Sequence, residues 1–565
     1  MIRSENVWNK HLDSELITPQ YPECSIFNYL KQNAQKNLGN TAIEFEGKKT
    51  TYGKLILQIE ETAKALINIG VKKSDVVSII SINTPEVLMT IYAANRIGAV
   101  VNMIHPLSSS AEVASFIEKT NSSVVLVLEQ LYPKIEKVKF DNKITPKIII
   151  TRIVDSLPLY IKPAFALTNK NKLDINSDHK TAYWNRFISD ASNKNVVLPE
   201  DQGTKDDIAM IMYSGGTTGT PKGVMLTNFN INAYSIQAFE VSGIRKTVGK
   251  KFLAVLPLFH GFGFASGVHA NLCKGVHIFL IPEFELKKSV KKIFRNKINF
   301  IYAIPALYEA IIRSEYIEKK DLSFFECLIC GGDKLQPKLN EKLKNYLKRG
   351  NSNAVFCEGY GQTECVAACL TNPYFAPVEK SVGILLPDMS AKIVEPGTQK
   401  EVPNGTVGEL CINGPTVMKG YYNNSEETQK VIQVHDDGKS WLHTGDIFTR
   451  DDNGYFYFKQ RISRMAISSG YNIYVTEVEK AITSCMFVSQ CCVVGVNDRA
   501  IGQRIVAHVV LNNSNADKTI LKTKIIEQCK KILPEYSLPH EIRFRDELPV
   551  TNLGKVNFKE LENEN

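Results

Sequence analysis

Apolar and polar positions follow two rhythms along the first 140 residues. From Tyr52 to Ile69, Leu55, Ile59, Ala63 and Leu66 recur at three- to four-residue spacing, which predicts a helix with one buried face. Asp75–Ile82 (DVVSIISI) is a β-branched run of the kind found in strands buried on both faces. Pro85–Ile97 returns to the helical period. Ala99–Met103 and Ser123–Leu128 read as further buried strands, with a helix over Ala111–Thr120 between them. Strand and helix in repetition predict a parallel sheet covered by helices, an α/β fold. The rhythm breaks over residues 150–205, which turn polar and rich in Asn, Lys and Asp after an apolar patch, Leu157–Ala166. A surface excursion is expected there. Alternation resumes from Asp207 to Leu386, and Ala391–Tyr421 is glycine-rich and strand-like, as in a small β subdomain. From about Met465 the pattern is a compact α/β unit of usual domain size, with Val475–Thr483 as helix and Cys491–Val496 and Val506–Leu511 as strands.

Composition narrows the class. The 565 residues imply several units, and 44% hydrophobic with 22% charged residues is the balance of a globular protein. Disorder, collagen and a polytopic membrane protein are excluded on these figures. The 68 Lys+Arg against 59 Asp+Glu give a net charge of +9, diluted over a long chain. That suits an enzyme handling anions better than a nucleic-acid binder, which concentrates its basic residues, and no nucleic-acid motif is present. Of the 12 cysteines, Cys327 and Cys330 form one C-x-x-C without a second pair, and Cys491 and Cys492 are adjacent. Buried reduced thiols in a cytoplasmic protein are expected. The opening MIRSENVWNKHLDSE has no apolar core and predicts no secretory signal. Phe252–Ala270 is the most membrane-like stretch, but Pro257, His260, His269 and three glycines interrupt it. It reads as a buried active-site segment rather than a span.

The chemistry starts at Tyr213–Gly223, YSGGTTGTPKG. Four glycines let backbone approach a bound group closely, and serial N–H groups with the hydroxyls of Ser214, Thr217, Thr218 and Thr220 can cradle phosphate oxygens. Lys222 adds a point charge. The loop follows an apolar strand, Ile208–Tyr213, and so sits at a strand's carboxyl end, where α/β proteins bind ligands. It is not a Walker A loop, because Lys222 stands between Pro221 and Gly223. A flexible surface loop is the alternative, which eleven residues of this type in this order make remote.

This segment resembles the phosphate loop of the adenylate-forming (AMP-binding) superfamily, which includes acyl-CoA synthetases, amino-acid adenylation domains and firefly luciferase. Further motifs follow in order, and the resemblance spans about residues 25–560. Gly359–Glu364 (GYGQTE) matches the second signature: Tyr360 offers a ring for adenine, Thr363 a hydroxyl for phosphate, and Glu364 a hard oxygen ligand for Mg2+. Gly361 lies within this signature. The resemblance implies that Ser214, Thr in many relatives, helps Glu364 hold the metal. Cys330–Leu335 (CGGDKL) resembles the turn beside adenine and assigns Gly331 and Gly332 there; a tight turn after a buried strand is expected in either case. In Thr444–Asp446 (TGD) a carboxylate can take both ribose hydroxyls, which implies that role for Asp446 with Arg461 beside it. Lys555, in PVTNLGKVNFKEL, looks like the C-terminal lysine that bridges the substrate carboxylate and the α-phosphate, where a solvated tail lysine is the bland alternative. Lys555, Glu364 and Thr217 form the implied catalytic group. The resemblance assigns ATP binding to Ser214, Gly215, Gly216, Thr217, Thr218 and Lys222 in the loop.

The resemblance implies that LPLFHGFGF, within Phe252–Ala270, lines the acyl pocket through His260, Gly261 and Phe262, with His260 at the position that gates it; a core histidine bonded to a carbonyl is the alternative for His260. Amino-acid adenylation domains carry an Asp in this segment for the substrate ammonium. Between Lys251 and Pro282 there is none, so the acid is expected to lack a charged amine near its carboxylate. Ser469, Gly470 and Tyr471 resemble the stretch lining the CoA path. One departure stands out: relatives read G-R-x-K and an acid at the hinge, whereas this chain has Gln460-Arg461-Ile462-Ser463-Arg464. The resemblance implies an adenylation domain over 1–460, a hinge over 461–464 with Arg464 at its pivot, and a mobile C-terminal domain over 465–565. The expected activity is that of a fatty acyl-CoA synthetase using ATP, Mg2+ and coenzyme A. A carrier-protein or aryl-CoA ligase and a non-catalytic nucleotide- or acyl-binding relative are the alternatives. Leu157–Ala166, flanked by Lys147, Arg152, Lys162 and Lys170, resembles the insertion of long-chain bacterial members and suits peripheral contact with anionic lipid; a solvated loop is the competing reading.

Overall fold

The computed structural model describes all residues except 1, 4–18, 137, 139, 141–144, 164–174, 176–179, 202, 215–220, 245, 315–319, 334, 470, 500, 514–516, 551–555 and 565. The chain divides into two compact units. The first comprises Met1–Ala391, Ile412–Leu442 and Asn453–Phe456; the second comprises Lys392–Cys411, His443–Asp452 and Tyr457–Asn565.

The β-branched runs of the first unit become strands buried along their whole length. Val76–Ile80, Val100–Ile104 and Val124–Leu128 have no exposed position. They lie in an eight-stranded sheet ordered 420–421, 222–227, 208–214, 100–104, 76–80, 124–128, 147–151, 181–183. Its six strands from 208–214 to 181–183 are parallel, whereas 222–227 returns antiparallel beside 208–214. A second, nine-stranded sheet is parallel across 355–360, 327–330, 300–303, 251–254, 277–280 and 41–45.

The helices follow local signals. Tyr52–Asn68 starts at Thr51, whose hydroxyl accepts from Lys54 N, and buries the predicted Leu55, Ile59, Ala63 and Leu66. Pro85–Arg96 has Thr84 as its cap and Pro85 in its first turn, and every one of its 12 residues is buried. It is therefore a central helix, which its modest amphipathic pattern conceals.

The stretch 150–205 differs from the surface excursion expected of it. Thr181–Tyr183 adds an edge strand parallel to Lys147–Thr151, and Trp184–Ser192 forms a helix against Tyr52–Asn68. The polar composition hides an apolar stripe: Trp184, Phe187 and Ala191 are spaced for one helical face and are buried.

The second unit contains a five-stranded sheet of Tyr471–Tyr474, Met465–Ser468, Gly502–Leu511, Val488–Asp498 and Glu541–Arg545. Helices Val475–Thr483 and Lys518–Ile532 cover one face through Val478, Ile482, Ile525 and Cys529. Phe558 and Leu561, from helix Phe558–Asn563, pack with Leu548 against Cys492, Val494 and Val506. All 12 cysteines are free thiols, ten of them buried.

Candidate active site

The two ends of the loop motif lie on paired strands. Strand Ile208–Ser214 runs up and Lys222–Thr227 returns, with Lys222 opposite Ser214. Gly215, Gly216, Thr217 and Thr218 lie outside the described residues. Antiparallel pairing holds Ser214 and Lys222 side by side at the end of the two strands. A side chain at Gly223 would meet Ile211 Cγ2 at 2.9 Å, so this return strand requires glycine at its second position.

Lys222 does not stand alone. Its ammonium pairs with the Glu427 carboxylate and lies 5.1 Å from the centre of the Tyr421 ring. The Tyr421 hydroxyl donates to Glu364 Oε1 at 2.9 Å. Tyr421 and Glu364 are both buried. Burial, and then the charge of Glu364, push the Tyr421 phenol well above its ordinary range, so it remains a donor at any physiological pH. Lys222 and Lys430 hold the Glu427 carboxyl down at about 2. Sequence reasoning missed Tyr421 and Glu427. They lie some two hundred residues from Lys222, and no local spacing announces them; only the helix cap at Asn424, accepting from Glu427 N, is a local signal.

The GYGQTE motif ends strand Val355–Tyr360 and turns through Thr363–Cys365, which lies against Ile208–Ser214. This brings Glu364 to the phosphate-loop side of the unit. A Cβ on Gly361 would sit 1.7 Å from the Ala367 carbonyl oxygen. Val366 follows at φ +69°, a left-handed conformation that a β-branched residue adopts only under constraint. Its carbonyl oxygen lies 1.6 Å from where a Cβ on Gly261 would be. Gly261 thus lets the proposed acyl segment and the GYGQTE turn meet backbone to backbone.

Phe262 continues this contact. Its ring stacks with Tyr302 at 6.3 Å and 8°, and lies 3.6 Å from the Cβ position of Gly331. Gly331 in turn faces the Gly359 carbonyl, and Gly332 sits at φ +78°, as the turn requires. His260, Gly261, Phe262, Gly331, Gly332, Tyr360, Gly361 and Glu364 therefore belong to one contiguous region. His260 is exposed, with its ring 4.8 Å from Phe259 and 6.3 Å from His105. The core histidine of this segment is instead His269. It is fully buried, accepts from Tyr92 at Nδ1 (2.9 Å) and donates from Nε2 to Asn232 (3.0 Å). Burial lowers it to about 3, keeping it neutral.

The acyl segment is shaped by a side chain that sequence reasoning also missed. Asn83 accepts from Leu258 N at 2.9 Å and donates to the Leu256 carbonyl at 2.9 Å. It pins the turn between strand Lys251–Ala254 and the π-helix Phe262–His269. A π-helix is rare and concentrates at functional sites.

The remaining predicted residues lie in the second unit. Asp446 is 2% exposed, with Oδ1 at 3.3 Å from Arg461 Nε, so the TGD motif and Arg461 do come together. Glu409 braces the turn by accepting from Gly445 N (3.0 Å) while its other oxygen meets His443 (3.0 Å). Arg464 pairs with Glu479 at 2.6 Å and donates to the Val493 carbonyl. Ser469 is exposed at φ +51°, and Tyr471 stacks on Tyr536 at 4.6 Å. Gly470 and Lys555 lie outside the described residues.

The arrangement in the first unit offers a cation, a buried carboxylate and the strand end at Ser214 at one rim, beside a largely apolar π-helical segment. A buried carboxylate with one oxygen engaged by a phenol is a fitting hard-oxygen ligand for a divalent cation. Comparison with known proteins identifies the family. Residues 30–422 match the family model of the AMP-binding enzyme, and 477–555 match that of the AMP-binding enzyme C-terminal domain. A long-chain-fatty-acid–CoA ligase of Bacillus subtilis is 30% identical, over 95% of this chain and 93% of its own. A probable 4-coumarate–CoA ligase 3 of Dictyostelium discoideum is also 30% identical, over 82% and 81%. Among solved structures, ATP-bound MatB from Rhodopseudomonas palustris superposes with a TM-score of 0.77 at 24% identity, covering 96% of this chain and 98% of that one. The chain belongs to the AMP-binding enzyme family and is an acid–thiol ligase of the adenylate-forming superfamily.

Proposed function

We propose that the protein activates a medium- to long-chain fatty acid with ATP, releasing pyrophosphate, and then transfers the acyl group from acyl-AMP to coenzyme A. The observation that carries the acid's identity is the segment Phe262–Cys273. Apart from Ser266, His269 and Asn271 it is apolar, it is buried from Gly263 onward, and it is free of carboxylates, so it offers an aliphatic chain contact and offers an ammonium no counter-charge. The B. subtilis relative supports the same class.

In this reading the acid's carboxylate attacks the α-phosphate of ATP. A carboxylate is unreactive toward thiols until its oxygen becomes part of a good leaving group, and AMP is one. Lys222 and the loop amides of 215–220 neutralise the charge that builds on pyrophosphate. Glu364, with Ser214, would hold Mg2+, which would shield the phosphates. Tyr421 fixes the Glu364 carboxylate by its hydrogen bond. Asp446 takes the ribose hydroxyls and Lys555 bridges carboxylate and α-phosphate. The hinge over 461–464 then turns the 465–565 domain, withdraws Lys555 and opens a CoA path past Ser469, Gly470 and Tyr471. The thiol of CoA brings its own nucleophile, so the buried cysteines have no part.

An aryl acid is the second reading, favoured by the 4-coumarate–CoA ligase relative and by the aromatic group of His105, Phe259 and His260 beside the acyl segment. Contact with lipid rests on Leu159 and Tyr160, exposed at 83% and 77%. The flanking cations support it less, because Arg152 is paired with Asp155 and Lys147 donates to the Ile69 carbonyl; Lys170 lies outside the described residues. No helix among the described residues is long and apolar enough to cross a membrane.

Acid-dependent ATP–pyrophosphate exchange across fatty acids and benzoates tests the proposal. Exchange in one fatty-acid window, lost in Lys555→Ala, with acyl-CoA formed on adding CoA, is the expected result. Exchange confined to benzoates would replace the aliphatic reading. Exchange without CoA transfer would point to a carrier-protein acceptor.

A further inference from the structure

We infer that helix Leu286–Asn296 and the tip at Leu159–Tyr160 form one surface of the first unit that docks on an anionic phospholipid bilayer. Its purpose rests on the proposed fatty-acid substrate, which partitions into bilayers; the docking itself needs no turnover. Charge is the first observation. Residues 286–297 (LKKSVKKIFRNK) hold six cations and no acid, and residues 337–349 (PKLNEKLKNYLKR) hold five cations and one acid. Together these two segments carry more net positive charge than the +9 of the whole chain. Charge that is thin along the sequence is gathered by the fold. Helices Leu286–Asn296, Pro305–Ile312 and Pro337–Arg349 share one core with the second sheet through Val290, Ile293, Tyr308, Ile311, Leu343 and Leu347. Burying that stripe turns the cations outward. In the first of these helices Ser289, Val290 and Ile293 are buried, whereas Lys287, Lys288, Lys291 and Arg295 are exposed. Lys288 pairs with Glu285 at 2.8 Å, but at the surface, where the pair is weak.

The second observation sets an apolar tip beside that helix. Ser156 and Leu157 are buried, with the Ser156 hydroxyl donating to the buried Glu86 carboxyl. The chain then turns at Pro158, whose carbonyl accepts from Ile161 N at 3.0 Å, and the turn leaves Leu159 and Tyr160 exposed. Glu46 and Gly47 join strands Thr41–Phe45 and Lys48–Thr51. The Tyr160 hydroxyl lies 3.2 Å from where a Cβ on Gly47 would sit, and Lys292 Nζ meets Glu46 Oε1 at 3.0 Å. One two-residue turn therefore touches both the apolar tip and the basic helix. A leucine and a tyrosine next to a row of lysines suit the bilayer interface. The leucine enters the headgroup boundary, the tyrosine keeps its hydroxyl at the polar level, and the lysines meet lipid phosphates. A nucleic acid would engage the cations and leave Leu159 without a partner, so the tip favours lipid.

Vesicle sedimentation with the full chain tests this, comparing mixed phosphatidylglycerol–phosphatidylcholine vesicles with phosphatidylcholine alone at low and at high salt. The chain should sediment with the anionic vesicles, and salt should weaken that binding by screening the lysines. Lys287→Glu with Lys291→Glu should lower it about tenfold or more, because two attracted charges become two repelled ones. Leu159→Ser with Tyr160→Ser should lower the part of the binding that survives salt. All four side chains are exposed and outside the adenylation machinery, so the melting temperature should stay at the wild-type value. Hydrogen–deuterium exchange of the unsubstituted chain gives a second reading: vesicles should slow exchange over 157–162 and 286–297. Equal binding to neutral vesicles, either double variant binding as the wild type does, or no slowing at either segment overturns the inference. So does tighter capture of duplex DNA than of vesicles, lost in the lysine variant, which would make the face a nucleic-acid surface. Failure to activate any fatty acid would sink the proposed function, while vesicle binding would still decide the docking surface.

Discussion

At the residue scale, the first unit's site turns on contacts that one atom decides. Tyr421 binds Glu364 through its hydroxyl and carries Lys222 on its ring. Tyr421→Phe keeps the ring and removes the donor. A hydrogen bond to a buried charged group is worth about 1.5–3 kcal/mol, so pyrophosphate exchange should fall about tenfold or more, with a higher Mg2+ requirement read by titration. Glu427→Gln should act in the opposite direction on nucleotide binding. It releases Lys222 from its ion pair and tightens ATP binding a few-fold by calorimetry, the scale of a partly exposed pair. Gly261→Ala should be far more damaging than its size suggests, because the added carbon meets the Val366 carbonyl at 1.6 Å. Backbone on both sides leaves nothing flexible to yield; the expected result is loss of activity with a melting temperature lowered by several degrees.

At the element scale, the acyl segment is an irregular stretch held by borrowed hydrogen bonds. Strand Lys251–Ala254 ends before the π-helix begins, and the turn between them has its Leu258 N–H and Leu256 carbonyl satisfied by Asn83. Asn83→Ala leaves the buried Leu258 N–H without this acceptor, a cost of about 1–3 kcal/mol, and takes a donor from the half-buried Leu256 carbonyl. Substrate range should broaden or shift before ATP affinity changes, which a chain-length profile against a parallel ATP titration would show. The amphipathic spacing of Tyr52–Asn68 and the β-branched runs of 76–80 and 124–128 were legible because burial there follows a simple period. The strand and helix over 181–192 were not. Three apolar residues in a polar stretch outweigh composition once a neighbouring helix, Tyr52–Asn68, offers them a face.

At the scale of the whole molecule, each unit carries a buried neutral histidine. His269 is lowered to about 3 by burial, and His508 to about 4 by burial and the charges of Arg545 and Arg543. Arg545 Nε donates to His508 Nδ1 at 2.8 Å, which requires that nitrogen to be unprotonated. The sign follows from proton counting. Below about pH 6.5 the unfolded histidines bind protons that the folded ones refuse, so stability falls as pH drops from about 6.5 toward these lowered values. Melting temperature, followed by scanning fluorimetry, should be flat in this respect above pH 7 and decline steadily to pH 5. His269→Gln, which retains a donor and an acceptor, should reduce the slope.

The sequence by itself determined the α/β class, the family, and the order of the motifs, because each depends on residues close together in the chain. Periodic burial, a glycine-rich loop after a strand and a TGD turn are local facts. Only the tertiary structure decided which distant groups complete them. Tyr421 and Glu427 reach Lys222 and Glu364 because strand Gly420–Tyr421 pairs with Lys222–Thr227 at the sheet's edge. Asn83 reaches Leu258 because two parallel sheets share one unit. Arg464 meets Phe558 because the C-terminal helix packs back onto its own sheet. Such pairings are set by how apolar faces find one another, and a hydrogen bond or ion pair across a hundred residues leaves no periodic trace in the chain.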